Sequence, residues 1–140
     1  MEFYILDTSV VLKWFNTEGE QHTKKALQVL DDLKDQKISI VVPDLIIIEL
    51  VNVFIKGKQL ELKEIQRLIT IFFALPLITK EPTESVLALV SDISYKYNLT
   101  AYDSLYVATA MEEGCQLISD DAKGHGKITD GTVVMLKDYK

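Results

Sequence analysis

Three acidic residues stand where the surrounding sequence is apolar. Asp7 separates Phe3-Tyr4-Ile5-Leu6 from Val10-Val11-Leu12. Glu49 interrupts residues 45–55, where the only other polar residue is Asn52. Asp103 lies among Tyr102, Leu105, Tyr106 and Val107. Ionised carboxylates are rarely buried unless they are paired or meet a cation. Their oxygens suit hard ions such as Mg²⁺ or Mn²⁺. An ion held this way can activate a water and offset charge that builds up at phosphorus.

Each acid also has an ordinary explanation. Asp7 fits a turn or a helix N-cap. Glu49 fits a salt bridge to a distant lysine, although no Lys or Arg stands within one helical turn of it. Asn52, three residues on, shares its helix face and is placed to orient it by a hydrogen bond. Thr100-x-x-Asp103 matches a capping box, and a helix N-terminus favours negative charge. Asp120 and Asp121 fit a turn. Taken jointly, two acids after strands and two on helices can converge on one cleft.

The elements that would position them follow from periodicity. Residues 4–6 read as a buried strand, followed by a turn at Asp7-Thr8-Ser9. Residues 18–35 read as a helix, with Ala26, Leu27, Leu30 and Leu33 on one face. The β-branched stretch 38–42 reads as a buried strand. Pro43-Asp44 then opens a helix that runs through residues 45–55 and stops at Gly57. That helix is apolar nearly all round, which predicts burial. Residues 62–73 have helical spacing, and 77–79 suit a short strand. Glu81-Pro82-Thr83 opens a helix with Val86, Val90, Ile93 and Tyr97 on one face. Thr100 caps a helix over 101–113 that Gly114 ends. Residues 116–119 and 132–135 read as the last strands. Strands alternating with helices predict an α/β domain with a mostly parallel central sheet. Ligands of such sheets bind beyond the carboxyl ends of strands, where Asp7 and Asp120-Asp121 fall.

The chain has 140 residues, 48% hydrophobic and 26% charged, which suits one domain over 1–140. The net charge of −6 argues against general electrostatic affinity for nucleic acid. It does not argue against an acidic site that recruits a divalent cation. The lone cysteine, Cys115, excludes an intramolecular disulfide and a Cys-rich zinc site. His22 and His125 are too few and too scattered for a His-based metal motif. No basic leader precedes Phe3, and no apolar run approaches the roughly 18 residues that span a membrane. The expected location is cytoplasmic.

The motifs resemble those of a PIN domain, most closely the VapC-like toxin ribonucleases of toxin–antitoxin modules, over nearly the whole chain. Leu6-Asp7-Thr8-Ser9-Val10 resembles the opening strand and first acid. Val42-Pro43-Asp44-Leu45-Ile46-Ile47-Ile48-Glu49-Leu50-Val51-Asn52 resembles the second motif. Leu99-Thr100-Ala101-Tyr102-Asp103-Ser104-Leu105-Tyr106 resembles the third and is the most specific. Leu117-Ile118-Ser119-Asp120-Asp121 resembles the fourth, with Ser119 keeping the hydroxyl of the more usual Thr. On that alignment Asp121 carries the fourth acidic role, and Asp120 stands where a small residue is common, so the two compete for it. The resemblance implies a three-layer α/β/α fold and Mg²⁺- or Mn²⁺-dependent cleavage of RNA, with one or two ions per site. It implies Asp7 and Asp103 as the most direct ligands, completed by Glu49 and Asp121. Thr8, Ser9 and Ser119 would position metal, water or phosphate, and Asn52 would orient Glu49. It further implies a homodimer and a cognate antitoxin protein.

Candidate RNA contacts are Lys13, Lys24, Lys25, Lys56, Lys58, Lys123 and Lys127, with Lys13 first because it closely follows the opening strand. Trp14 suits base stacking or, more in keeping with its position, the core or an interface. The stripe over 62–73 suits the core, with Phe72-Phe73 placed to share in a dimer contact. Other phosphotransfer folds fit less well. A receiver-like domain needs an acidic pair after its first strand, and a haloacid-dehalogenase-like hydrolase needs an Asp where Ser9 stands. A non-toxin RNA-processing nuclease and a non-catalytic binding module of the same fold are the remaining alternatives.

Overall fold

Short β-branched segments build the sheet. In the computed structural model, which describes residues 1–140, five strands form it: β1 (Glu2–Leu6), β2 (Ile38–Pro43), β3 (Ile78–Lys80), β4 (Gln116–Ser119) and β5 (Val133–Met135). Their order is β3-β2-β1-β4-β5, and every pairing is parallel. Ile5 and Leu6 of β1, Ile40, Val41 and Val42 of β2, and Leu117 and Ile118 of β4 are buried. Such unbroken apolar runs are what a parallel sheet covered on both faces requires. The edge strand β3 is exposed throughout.

Six helices supply the covering layers: α1 (Thr8–Phe15), α2 (Thr23–Lys34), α3 (Leu45–Asn52), α4 (Leu62–Ala74), α5 (Glu84–Tyr97) and α6 (Ala101–Glu113). α5 packs on α6, and α6 crosses β1, β2 and β4. α1 packs on α2, and these reach β4 and β2 respectively. The result is a three-layer α/β/α sandwich. None of the helices is long and apolar enough to cross a membrane.

From β1 the chain crosses first to β2 on one side and later to β4 on the other. The strand order therefore reverses at β1, and a crevice opens at its carboxyl end. Asp7 sits there.

Four local expectations need correction. Residues 7–9 are not a free turn, because α1 begins at Thr8 directly after Asp7. The helix predicted over 18–35 is confined to Thr23–Lys34, since His22 adopts a left-handed backbone (φ 56°) that blocks its extension. The segment over 45–57 changes from α to a π-helical turn at Val53–Gly57, and Phe54 joins Ile46 and Leu50 in the core. Nor is it buried all round: Ile48 is 68% exposed and Ile55 47%. Its outer apolar face is uncovered. The α4 stripe likewise divides, with Ile65, Leu68 and Phe72 inward and Leu62, Ile71 and Phe73 outward.

Candidate active site

The carboxyl ends of β1 and β4 and the helices α3 and α6 deliver their acids to one cavity of about 170 Å³. Asp7, Glu49, Asp103 and Asp121 line it, together with Thr8, Ser9, Tyr106 and His125.

Asp7 occupies the N-cap position of α1, but its side chain makes no cap hydrogen bond. Its buried carboxylate is held from three directions instead. Ser9 Oγ donates to Oδ1 at 2.6 Å, Ser119 Oγ donates to Oδ2 at 2.7 Å, and His125 Nδ1 lies 2.9 Å from Oδ2. Glu49 projects from α3 into the same space. Thr8 Oγ1 donates to its Oε1 at 3.0 Å, and the Tyr106 hydroxyl donates to the same oxygen. Asp103 lies in the first turn of α6, where Thr100 Oγ1 accepts from its backbone N–H at 3.1 Å. The cap is therefore made by Thr100 with the Asp103 main chain, while the Asp103 carboxylate lines the cavity. Asp121 is fixed by Gly124, whose N–H donates to its Oδ1 at 3.0 Å.

The charge in this cavity is poorly balanced. Burial raises the Asp103 pKa above the ordinary carboxylate value, and the charges of Asp121 and Asp7 push the same way against the relief that His125 gives. His125 is the cation among these acids. Burial alone would lower its pKa, but the hydrogen bond to Asp7 and the charge of Asp7 outweigh that and lift it to about 9. Burial, then the charge of Glu49, raises the pKa of Tyr106, which stays a neutral donor to Glu49.

A hard cation fits this donor set. A Cβ built on Gly124 would stand 2.2 Å from Asp121 Oδ2 and 3.3 Å from Asp103 Oδ2, so two carboxylate oxygens crowd one small space that a glycine leaves open. No trio of His, Cys, Asp or Glu side chains is drawn into ready coordination of an ion. A Mg²⁺ held here would take one or two of these carboxylates and complete its shell with waters.

Among the other residues picked out by sequence, Thr8, Ser9 and Ser119 all bond to the acids. Asn52 does not: it is exposed and makes no hydrogen bond to Glu49, a role taken by Thr8 and Tyr106. Lys13 is 4% exposed and locked between Glu20 at 2.8 Å and Asp120 at 3.0 Å, so it presents no free charge to a ligand. Trp14 packs against the core and donates from Nε1 to the Ala26 carbonyl at 2.8 Å. Asp120 points away from the cavity into that Lys13 pair and toward His22 at 2.9 Å. Sequence reasoning missed Tyr106 and His125. Tyr106 follows Asp103 by three residues and so shares its helix face. For His125 the local sequence Gly124-His125-Gly126 carried no signal beyond an isolated histidine near Asp121.

The PIN domain family model matches residues 4–128. The chain belongs to the PIN domain family. Solved structures agree on the fold. A chain of the toxin–antitoxin complex from Klebsiella pneumoniae superposes with a TM-score of 0.69 at 17% identity, over 97% of this chain and 99% of that one. VapBC2 from Rickettsia felis, bound to a DNA fragment from its promoter, gives 0.71 at 15% identity over 95% and 98%. VapC20 of Mycobacterium tuberculosis, described as a Sarcin-Ricin loop cleaving toxin, gives 0.64 at 11% identity over 83% and 86%. At these identities the likeness is one of fold. No curated protein sequence matches the chain closely enough to count as a relative. The PIN match spans all four acids, from Asp7 to Asp121, and includes His125.

Proposed function

We propose that this PIN domain is a divalent-metal-dependent endoribonuclease acting in the cytoplasm as the toxin of a type II toxin–antitoxin system. The observation that carries the reading is the gathering of Asp7, Glu49, Asp103 and Asp121, from four separate elements, around one cavity at the sheet's switch point. These residues would hold one or two Mg²⁺ or Mn²⁺ ions. When bound, such an ion lowers the pKa of a water and neutralises charge at the scissile phosphate.

The chain's own groups hold the acids still. Ser9, Ser119 and His125 orient Asp7, and Thr8 and Tyr106 orient Glu49. Preorganisation of this kind removes rearrangement from the reaction itself. Lys24, Lys56 and Lys123 are exposed and unpaired, and Lys123 stands two residues from Asp121, where it suits an RNA phosphate. Lys13, Lys25, Lys58 and Lys127 already have partners within the chain.

Two uncovered apolar regions support the protein partners. A cavity of about 540 Å³ between α3, α5 and α6, lined by Ile47, Ile48, Leu87, Val90 and Tyr102, suits a second copy in a homodimer. Leu62 and Phe73, which share one exposed flank of α4, suit an apolar segment of an antitoxin. The neighbours from toxin–antitoxin complexes support an antitoxin partner.

The test is cleavage of single-stranded and structured RNA by purified protein with Mg²⁺ or Mn²⁺. EDTA and Asp7→Asn should each abolish it, and expression should arrest growth only while the four acids are intact. Absence of metal-stimulated cleavage on every RNA tried would refute the enzyme reading and favour a binding module.

A further inference from the structure

His125 is one of the most completely buried polar residues in the chain, at 1% exposure, and both of its ring nitrogens point at site groups. Nε2 lies 2.9 Å from the backbone carbonyl of Asp103. A carbonyl only accepts, so Nε2 donates. Nδ1 lies 2.9 Å from Asp7 Oδ2 and 2.8 Å from Ser119 Oγ. The ring also stands edge-on to Tyr106, with centroids 6.1 Å apart at 74°, and Tyr106 holds Glu49. One imidazole therefore spans the gap between the end of β1 and the first turn of α6.

The segment that carries the ring is itself fastened. Gly126 N–H donates to the Asp121 carbonyl at 3.0 Å, Ile128 N–H donates to the His125 carbonyl at 3.0 Å, and Ile128 is buried. Asp121 is tied into the same turn through Gly124. A histidine buried for packing alone needs only ordinary backbone or core partners. Here the partners are the side chain of one acid and the main chain of another, and the turn that carries them holds a third.

We propose that His125 is a positioning residue for the acid site: by joining the Asp7 carboxylate to the Asp103 main chain it sets the separation of these two acids, and thereby the site's affinity for a divalent ion. This rests on the metal-site reading above. Asp7 keeps its bonds from Ser9 and Ser119 without His125, so the fold should survive the loss while the spacing relaxes. Groups that orient metal ligands from behind typically contribute about 10–100-fold to affinity.

The test uses the full chain and Mn²⁺ alone, with bound and free ion counted by electron paramagnetic resonance and no RNA present. Wild type is compared with His125→Asn, His125→Gln and His125→Leu. Val29→Ala, at a buried position of α2 away from the site, serves as a stability control. The Asn amide reaches where Nδ1 stands and can keep the Asp7 contact, whereas the Gln amide reaches toward Nε2 and can keep only the Asp103 carbonyl. His125→Leu should weaken Mn²⁺ binding by about 10–100-fold, and Asn and Gln, each of which keeps one end of the bridge and loses the other, should both bind several-fold more weakly than wild type, with Val29→Ala unchanged at a matched melting temperature. Leu and Gln variants that bind Mn²⁺ as wild type does would overturn the proposal and leave the metal site standing. Wild type that takes up no Mn²⁺ would remove the metal reading and this inference with it. If the Leu variant does not fold, wild-type Mn²⁺ affinity in folded Asn and Gln variants overturns the proposal.

Discussion

Asp120 and Asp121 are neighbours in sequence, yet they enter two acid-rich regions of opposite character. Asp120 joins Lys13, Glu20, Lys58 and His22 in a network where carboxylate oxygens meet the Lys13 and Lys58 ammonium groups at 2.8–3.0 Å and the His22 ring at 2.9 Å. Asp121 turns to the other side, into a cavity whose four carboxylates share one internal cation, His125. Successive residues leaving a strand point in opposite directions, and that alternation sorts the pair. Acidity alone therefore does not mark a functional carboxylate. What distinguishes the two regions is counter-charge: the network pairs its acids within the chain, whereas the cavity sets four acids against one histidine, and on the proposed reading a divalent ion would supply the rest.

Neutralising one acid in each region should break this comparison most sharply. Asp103→Asn is predicted to reduce metal-dependent RNA cleavage by more than about a hundredfold, since a direct ligand should matter more than the groups behind it. Its stability should hold or rise. The Asp103 pKa is raised in the folded state, so its contribution to stability is full at acid pH and is lost as pH rises through the folded value; at neutral pH the ionised group strains the fold. Thermal melts at pH 7 and at pH 4 check this, and the variant should narrow the difference between them. A large drop in melting temperature at pH 7 would instead make Asp103 a structural acid like Asp120.

Gly124→Ala is next in size. Its methyl would fall 2.2 Å from Asp121 Oδ2, closer than real Cβ contacts allow, so Asp121 must swing away or the turn must shift. Gly124 does not adopt a left-handed backbone, so the effect is steric and local. Cleavage is expected to fall by roughly tenfold or more, in the range of disturbed ligand support. Mn²⁺ affinity should fall with it. Unchanged affinity would mean that Asp121 is not needed where it stands.

Asp120→Asn should do the reverse of Asp103→Asn. It leaves the buried Lys13 with Glu20 as its remaining carboxylate partner, and breaking a buried pair costs about 3–5 kcal/mol when no other partner remains. With Glu20 in place a loss of roughly 2 kcal/mol is expected, read by urea denaturation, and cleavage should stay within about threefold of wild type. A variant that kept its stability and lost activity would bring Asp120 back into contention for the fourth acidic role.

Much of this architecture was legible because it rests on local rules. The strand read over 38–42, the Thr100 cap and the Gly114 stop follow from β-branching, capping and the left-handed backbone that Gly114 adopts at φ 66°. The convergence of Asp7, Glu49 and Asp103 was legible because acids within apolar runs are costly unless something meets them, whereas Asp121 was legible only from its place after a strand and the resemblance of its motif. The illegible parts were tertiary. Nothing near Lys13 announced that Glu20 and Asp120 would close on it, and nothing near Glu49 announced Thr8 and Tyr106 in place of Asn52. The uncovered face of α3 was hidden for the same reason, since an apolar helix reads as buried whether its cover is this chain or another one.

The far end of α1 gives the smallest and last test. The same helix carries Thr8 and Ser9 at the cavity and Lys13 and Trp14 away from it, so it spans both regions of the comparison. Trp14 Nε1 donates to the Ala26 carbonyl, and the ring packs against the core. Trp14→Phe keeps an aromatic face for stacking but removes the donor. If Trp14 belongs to the structural region, the variant should lose about 1 kcal/mol of stability, the ordinary net value of one hydrogen bond, with kcat/KM for RNA unchanged. A further change to Leu should then lower stability again while leaving KM alone. If instead the Leu variant raised KM for RNA and Phe did not, an aromatic face at this position would be touching the substrate, and the boundary between the two regions would have to move along α1 by more than one helical turn.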